Sequence, residues 1–412
     1  MEEPEHHGRD SWLIFLIWPL GALMQAVNHL ESKWSRNVIW AFCGYFGFTM
    51  VTTSQGADVD RYRSTLAFMH QQHLSLDSLL GMLYSQTTAF VDVVQPFITF
   101  AVARFTGDPR ILFLVFGLVF GYFYSRNIEY IGSMIETEHR RWSLYLLVLF
   151  AFLVPIWEIN GFRFWTAAQV FVFGALPYLI ERNKASLVWT WLSVFVHFSF
   201  IVPAAVLTAY ALGGSRLNIY FILFLLSFTI SELNLGALRH TLASYAPHFL
   251  IPRVNSYFNS RYAEAISTQL LSSNWYAQWY VSAMKYGLDA LLTFAFLSRR
   301  RLILERDDMT RLLSFTFLFS AFANLASLVP SGGRFLTVSF FFSLGFLLLA
   351  TQDERVMVRL KPLLALTVPL CLLFVVVTVR IGFDFISYLA LIGNPFIAPF
   401  IGNGLPLITL IK

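Results

Sequence analysis

Apolar positions in this chain neither alternate nor keep to one helical face. They run together in blocks separated by short polar stretches, at 11–28, 37–53, 87–105, 110–127, 143–158, 163–180, 186–212, 217–233, 276–297, 311–329, 334–350 and 360–379. Blocks of this length predict membrane helices. About 20 apolar residues rising 1.5 Å each match the hydrocarbon thickness, and a helix bonds its own backbone where lipid cannot. The tail 383–411 is apolar but interrupted by Gly393-Asn394-Pro395 and Gly402-Asn403-Gly404, which predicts a segment that dips into the membrane rather than crossing it. The expected fold is all-α: a polytopic integral membrane protein of about 11–14 transmembrane helices, forming a single transmembrane domain over residues 1–412.

Composition agrees. Hydrophobic residues make up 57% of the chain, charged residues 13%, and mean hydropathy is +0.62, whereas a soluble domain carries about 25% charge. The acidic start Met1-Glu2-Glu3-Pro4-Glu5 stands where a signal peptide would be basic, and no small-residue cleavage site follows, so the first block is expected to stay as a helix. The net charge of +5 fits basic loops on one side of a membrane better than a nucleic-acid surface. Cys43 and Cys371 both fall inside apolar blocks and read as buried hydrophobes rather than a disulfide. No Walker A, GxGxxG, HExxH or CxxC pattern occurs in a fitting context, so ATP-driven transport and zinc hydrolysis have no support, and neither cofactor nor metal is expected. No inverted repeat of the transporter kind stands out.

Arginines and lysines set the expected orientation. Arg299-Arg300-Arg301 with Arg306 and Arg311, and then Arg355, Arg359 and Lys361, mark two cytoplasmic loops. The turn from Pro330 to Arg334, the long segment 234–275 and the turn at Asn160-Gly161-Phe162-Arg163 then fall outside. For the count to close, 186–212 must be a broken pair, with Pro203 a plausible break. Upstream the count does not close. Lys33 and Arg36 place 54–86 outside while counting back from His139 places it inside, so either 87–105 or 110–127 is expected to be re-entrant.

An ionisable side chain at membrane depth costs about 2.5–3.5 kcal/mol, so it usually faces a cavity and has a task. Arg163 opens one apolar block and Arg334 another, and His197 interrupts a third, all at the same predicted level. An arginine at a helix N-terminus makes an anion site, and its guanidinium fork suits phosphate; the simpler reading is an arginine that snorkels or neutralises a carboxylate such as Glu158. His197 can act as a base or a phosphate donor, or be a histidine satisfied by a backbone carbonyl. Asp58 and Asp60, followed by Arg61, can supply a general base, hold a divalent metal, or cap the helix that begins there. Lys285 and Asp289 have the spacing of an intrahelical ion pair. The segment 236–275, with Arg253, Tyr257 and Arg261 among interleaved aromatics, is either a carbohydrate groove or an interfacial amphipathic stretch.

In order and approximate spacing, Asp58 to Tyr62, then Asn160-x-x-Arg163, then His197-x-Ser199, then Arg334-Phe335 resembles the EpsG-like polysaccharide polymerases, relatives of the Wzy O-antigen and capsule polymerases. The resemblance covers roughly residues 50–350, and departs where Phe164-Trp165 follows the arginine instead of a more polar residue. It implies a GT-C-like, metal-independent glycosyltransferase of the bacterial inner membrane. Such an enzyme moves a growing glycan from undecaprenyl diphosphate to a hydroxyl of the next lipid-linked repeat unit on the periplasmic face, with a chain-length regulator as a possible partner. Arg163 and Arg334 would hold the diphosphate, His197 would assist, and Asp58 or Asp60 would be the base; Arg61, Asn160, Ser199, Arg253, Tyr257 and Arg261 would line the substrate. The alternatives are a ligase using the same lipid carrier, a membrane O-acyltransferase, and a transporter or lipid-linked oligosaccharide flippase.

Overall fold

A backbone in lipid can bond only to itself, and every regular element among the described residues is helical, apart from one isolated bridge between Ser387 and Pro406. The computed structural model describes residues 3–30, 32–51, 58–83, 92–135, 140–245, 251, 268, 271–402 and 404–411. In chain order these form α1 (Glu3–Ile17), α2 (Pro19–Val27), α3 (Lys33–Thr49), α4 (Asp58–Gln71), α5 (Leu76–Met82), α6 (Val94–Ala103) and α7 (Pro109–Gly132). Next, α8 (Arg140–Leu153) and α9 (Phe162–Glu181) are joined by the 3-10 segment Ile156–Gly161, and α10 (Leu187–Val196) and α11 (Ile201–Gly213) by the 3-10 turn Phe198–Phe200. The chain continues through α12 (Leu217–Leu226), α13 (Leu235–Tyr245), α14 (Trp275–Glu305), α15 (Asp307–Ala326), α16 (Arg334–Thr351), α17 (Glu354–Gly382), α18 (Tyr388–Ile392) and α19 (Leu407–Ile411).

Among the described residues, 5 helical stretches are long and apolar enough to cross a membrane: Pro109–Gly132, Arg141–Glu181, Asp307–Ala326, Arg334–Thr351 and Glu354–Gly382. That is the signature of a membrane protein. The helix α16 is the central pillar, with 89% of its most apolar window buried, while α17 keeps only 33% buried and presents the rest outward. Ring contacts fix directions around the pillar. Phe335 meets Phe164 and Phe342 meets Phe171, so α16 and α9 run parallel. Phe341 meets Phe150 and Ser143 bonds Thr351, so α8 runs against α16. The stretch Arg141–Glu181 is therefore two antiparallel helices that turn at the 3-10 segment.

Several predicted spans take a different form. The block 11–28 is not one helix: Trp18 is extended (φ −147°, ψ 91°), Pro19 opens α2, and the Ser11 hydroxyl donates to Gln25 across the resulting hairpin at 2.9 Å. The block 186–212 is a broken pair, as the loop charges require, but the break falls on His197 (φ −148°, ψ 118°) rather than Pro203, which sits in the first turn of α11. From Thr190 beside Gly174, α10 rises to His197 beside Phe164. The returning α11 brings the Tyr210 hydroxyl to the Arg311 carbonyl, whose own guanidinium bonds the Leu179 and Ile180 carbonyls.

The described part of the block 87–105 forms α6, 10 residues long, whereas α7 has 24. The segment 54–86, expected as a loop, contains α4 and α5. The helix α4 lies beside α6, with the His70 Nδ1 donating to the Ala103 carbonyl at 2.7 Å. Both therefore sit at the end of the bundle that carries Arg163 and Arg334. The opposite end holds the pairs Arg36–Glu129, Arg182–Asp307, Arg306–Asp308 and Arg355–Asp353, together with the arginine run Arg299 to Arg301.

Among the described residues the most extensive helix pairing is α3 with α7, which cross through glycines. A Cβ added at Gly117 would overlap the Cys43 carbonyl, so small residues let the backbones touch, as in other membrane helix pairs. Gly117→Val is expected to cost about 1–3 kcal/mol or more, read as a lower Tm in detergent. Gly81, which has open space around it, provides the control: Gly81→Ala leaves Tm in place, and an unchanged Gly117→Val would contradict the close crossing. Cys43 and Cys371 are both free and buried, as expected.

Candidate functional site

Three elements from distant parts of the sequence converge on Arg163. The guanidinium extends from the first turn of α9, where Nη1 donates to Asp92 Oδ2 at 3.1 Å and Nη2 lies 3.8 Å from Asp58 Oδ1. Only 5% of the Asp92 side chain and 20% of the Arg163 side chain are exposed, whereas Arg61, which also pairs with Asp58, is 68% exposed. Tyr62 packs beside them: its ring meets Phe116 edge-on at 5.3 Å, and Phe116 stacks on Phe162 at 4.0 Å. Burial pushes the Tyr62 phenol up, against the opposing pull of Arg163, so it stays protonated and able to donate.

The same Asp92 holds the broken helix. Its Oδ1 accepts from the Phe198 backbone N–H at 2.9 Å, capping the turn that begins at His197. His197 is buried, with its ring 5.5 Å from Phe164 and stacked on Phe198. Its Nδ1 accepts from the Ser199 N–H at 3.2 Å and lies 2.8 Å from the Ser199 hydroxyl, so the neutral ring carries its proton on Nε2. Asp92, Arg163 and His197 thus form one connected polar unit, with Asp92 as the link.

Arg334 joins through Phe164, over whose ring its guanidinium lies at 4.3 Å. Its Nε donates to the Ser331 carbonyl at 3.2 Å, and among the described residues it makes no ion pair. Glu158 lies within its electrostatic reach and against the Trp165 indole. The turn before it is tightly built: Ser331 has φ 64°, and a Cβ at Gly332 would overlap the Ala326 carbonyl. Gly332→Ala is expected to displace this turn and lower both Tm and whatever activity depends on Arg334. Retention of both would contradict the role given to the turn.

Of the two early aspartates, Asp58 turns toward Arg163 while Asp60 pairs with Arg63 at 3.7 Å on the exposed side of α4. Asn160 donates to the Trp157 carbonyl at 3.1 Å inside the 3-10 segment, and so shapes the turn before Arg163. Arg253, Tyr257 and Arg261 lie outside the described residues. Lys285 and Asp289 form the expected intrahelical pair at 3.1 Å, with the Lys285 ammonium over the Phe228 ring. Among the described residues no group of three His, Cys, Asp or Glu side chains could hold a metal ion. Asp92 is the participant that the sequence reading did not single out, although an aspartate within an apolar block carries the same signal as Arg163.

Chemically, the site places a cation paired with two carboxylates next to a cation that has no carboxylate bonded to it, at one end of a membrane bundle. For an anionic group there, Arg334 is the guanidinium without a bonded carboxylate, and the second amino group of Arg163 (3.8 Å from Asp58, beyond hydrogen-bond length) is a further donor. Comparison with protein-family models, with curated proteins and with solved structures returns no match.

Proposed function

We propose that this chain is a GT-C-like glycosyltransferase of the bacterial inner membrane. It would polymerise undecaprenyl-diphosphate-linked oligosaccharide repeat units into a surface polysaccharide on the periplasmic face. The observation that carries this reading is the pairing of two arginines at one bundle end with a carboxylate, Asp58, beside one of them. Transfer of a glycan from a lipid diphosphate breaks the anomeric C–O bond and leaves negative charge on the diphosphate, while the acceptor hydroxyl loses a proton. Fixed guanidinium groups in a dry site stabilise the first, and a carboxylate takes up the second.

In this assignment Arg334 and Arg163 hold the diphosphate, Asp58 is the base, and His197 donates from Nε2. Asp92 orients Arg163 and the His197 turn and touches no reacting atom. The basic opposite end supports a cytoplasmic placement of that end and a periplasmic placement of the site. In this reading the shorter apolar helices, among them Lys184–Val196 and Leu217–Leu226, complete the bundle beside the five longer stretches.

Deleting the gene and resolving the surface polysaccharide on a gel tests the proposal. Loss of the long-chain ladder with a single repeat unit still attached is expected. Complete loss of attached glycan indicates the ligase or a flippase instead, and an intact ladder lacking acyl groups indicates an acyltransferase.

A further inference from the structure

At the basic end, the last turns of α14 and the first turns of α17 line an open groove of about 960 Å³. This lies at the upper end of the roughly 300–1,000 Å³ typical of small-molecule sites. Five arginines line it (Arg299, Arg300, Arg301, Arg355 and Arg359) against two glutamates, Glu305 and Glu354. Arg355 is occupied by Asp353 at 2.9 Å and Glu305 at 3.6 Å. Among the described residues, Arg299, Arg300, Arg301 and Arg359 have no ion pair.

Arg299 is the unusual one. It leaves helical geometry inside α14 (φ −132°, ψ 17°), and its Nε is buried with no hydrogen-bond partner. Arg299 is otherwise only partly buried, and among the described residues its guanidinium and those of Arg300, Arg301 and Arg359 have no ion pair to compete with an anion bound there. Arginines gathered on one side of a membrane explain the charge at this end. They do not explain a helix kinked at Arg299 where four arginines without ion pairs line one groove.

The rim identifies the kind of anion. Leu297 and Val358 also line the groove and are 69% and 60% exposed, and Leu366 continues the apolar surface along α17, the helix buried over only a third of its apolar window. A ligand that fits is anionic at its head and apolar beyond it. We infer that this groove binds the phosphate headgroup of an anionic membrane lipid, with its acyl chains along Leu297, Val358 and Leu366. The surplus of arginines favours a headgroup carrying two phosphates, of the cardiolipin type, over one carrying a single phosphate. This site lies at the other end of the bundle from Arg163, and the inference does not depend on the proposed transferase activity.

The test uses the full chain purified in detergent. Tm and retained lipid (by native mass spectrometry) are measured with cardiolipin, phosphatidylglycerol, phosphatidylcholine or inorganic pyrophosphate added. Cardiolipin is expected to raise Tm and to stay bound, phosphatidylglycerol to do so more weakly, and phosphatidylcholine not at all. The variant Arg299→Gln/Arg301→Gln/Arg359→Gln is expected to weaken cardiolipin binding at least about tenfold. The exposed single variant Arg301→Gln, which removes no buried contact, is expected to weaken it less and serves if the triple variant does not fold. Equal retention of cardiolipin and phosphatidylcholine, or variants that bind cardiolipin as the parent does, overturns the inference. Pyrophosphate that stabilises the protein where cardiolipin does not would identify a soluble-anion site and overturn the lipid assignment.

Discussion

Alanine at Arg163 or at Arg334 is expected to reduce polymerisation at least about a hundredfold, since losing one preorganised donor to a developing oxyanion costs about 2.7–4 kcal/mol of barrier. The two variants differ in what else they disturb. Arg334 contacts the ring of Phe164 and a backbone carbonyl and has no carboxylate bonded to it, so Arg334→Ala is expected to keep its Tm and its expression level. Arg163 neutralises the nearly buried Asp92, so Arg163→Ala is expected to lose activity and some stability together. Arg334→Lys is expected to recover only part of the activity, because an ammonium lacks the planar fork that grips two phosphate oxygens. The measurement is glycan chain length on gels, normalised to protein detected in the membrane. Full-length glycan from a normally expressed Arg334→Ala protein would remove this arginine from the mechanism.

Removing the linking carboxylate is expected to have the largest effect on stability. Breaking a buried pair by deleting one partner costs about 3–5 kcal/mol, because the surviving charge stays in a poor solvent. Asp92→Ala leaves Arg163 with Asp58 alone, 3.8 Å away, and leaves the Phe198 N–H without its cap. The lower part of that range is therefore expected, together with loosening of the turn at His197. Asp92→Asn keeps the cap but not the charge and is expected to fall between. Thermal unfolding in one detergent for the three proteins checks the order, and an Asp92→Ala protein as stable as its parent would show that the pair carries no structural weight.

Arg163, Arg334 and His197 could be read from the sequence because each is an ionisable side chain in or beside an apolar block, a signal that needs no knowledge of the fold. Asp92 carries the same signal. Reading 87–105 as a crossing helix hides it, since an aspartate near the end of a span looks like an interfacial residue. Counting from Asp92 to Arg104 instead leaves too few apolar residues to cross, and the described part of the block forms the 10 residues of α6. The break at His197 depends on a bond to Asp92 from 106 residues away, which no local pattern encodes. Pro203 is the stronger local signal, yet a proline in the first turn of a helix is tolerated and breaks nothing.

The early aspartates show another limit. Residues two apart on a helix point about 200° apart, so only one of Asp58 and Asp60 can face Arg163, and the sequence does not say which. The packing of Val59, Tyr62, Leu66 and Met69 into the bundle decides it. In the same way, the helical count of the membrane domain follows poorly from apolar blocks alone. A block such as 11–28 or 186–212 has the composition of one span and the backbone of two half-helices, because a single extended residue, Trp18 or His197, divides it.

The transferase assignment stands or falls on polymerisation by the purified protein in proteoliposomes supplied only with undecaprenyl-diphosphate-linked repeat units. A ladder of repeat multiples is expected without nucleotide or added metal, with one undecaprenyl diphosphate released per linkage. The ladder is predicted to disappear with Arg334→Ala while the protein remains folded. Repeat units left unjoined by a folded, reconstituted parent protein, or a ladder that Arg334→Ala forms equally well, would contradict it.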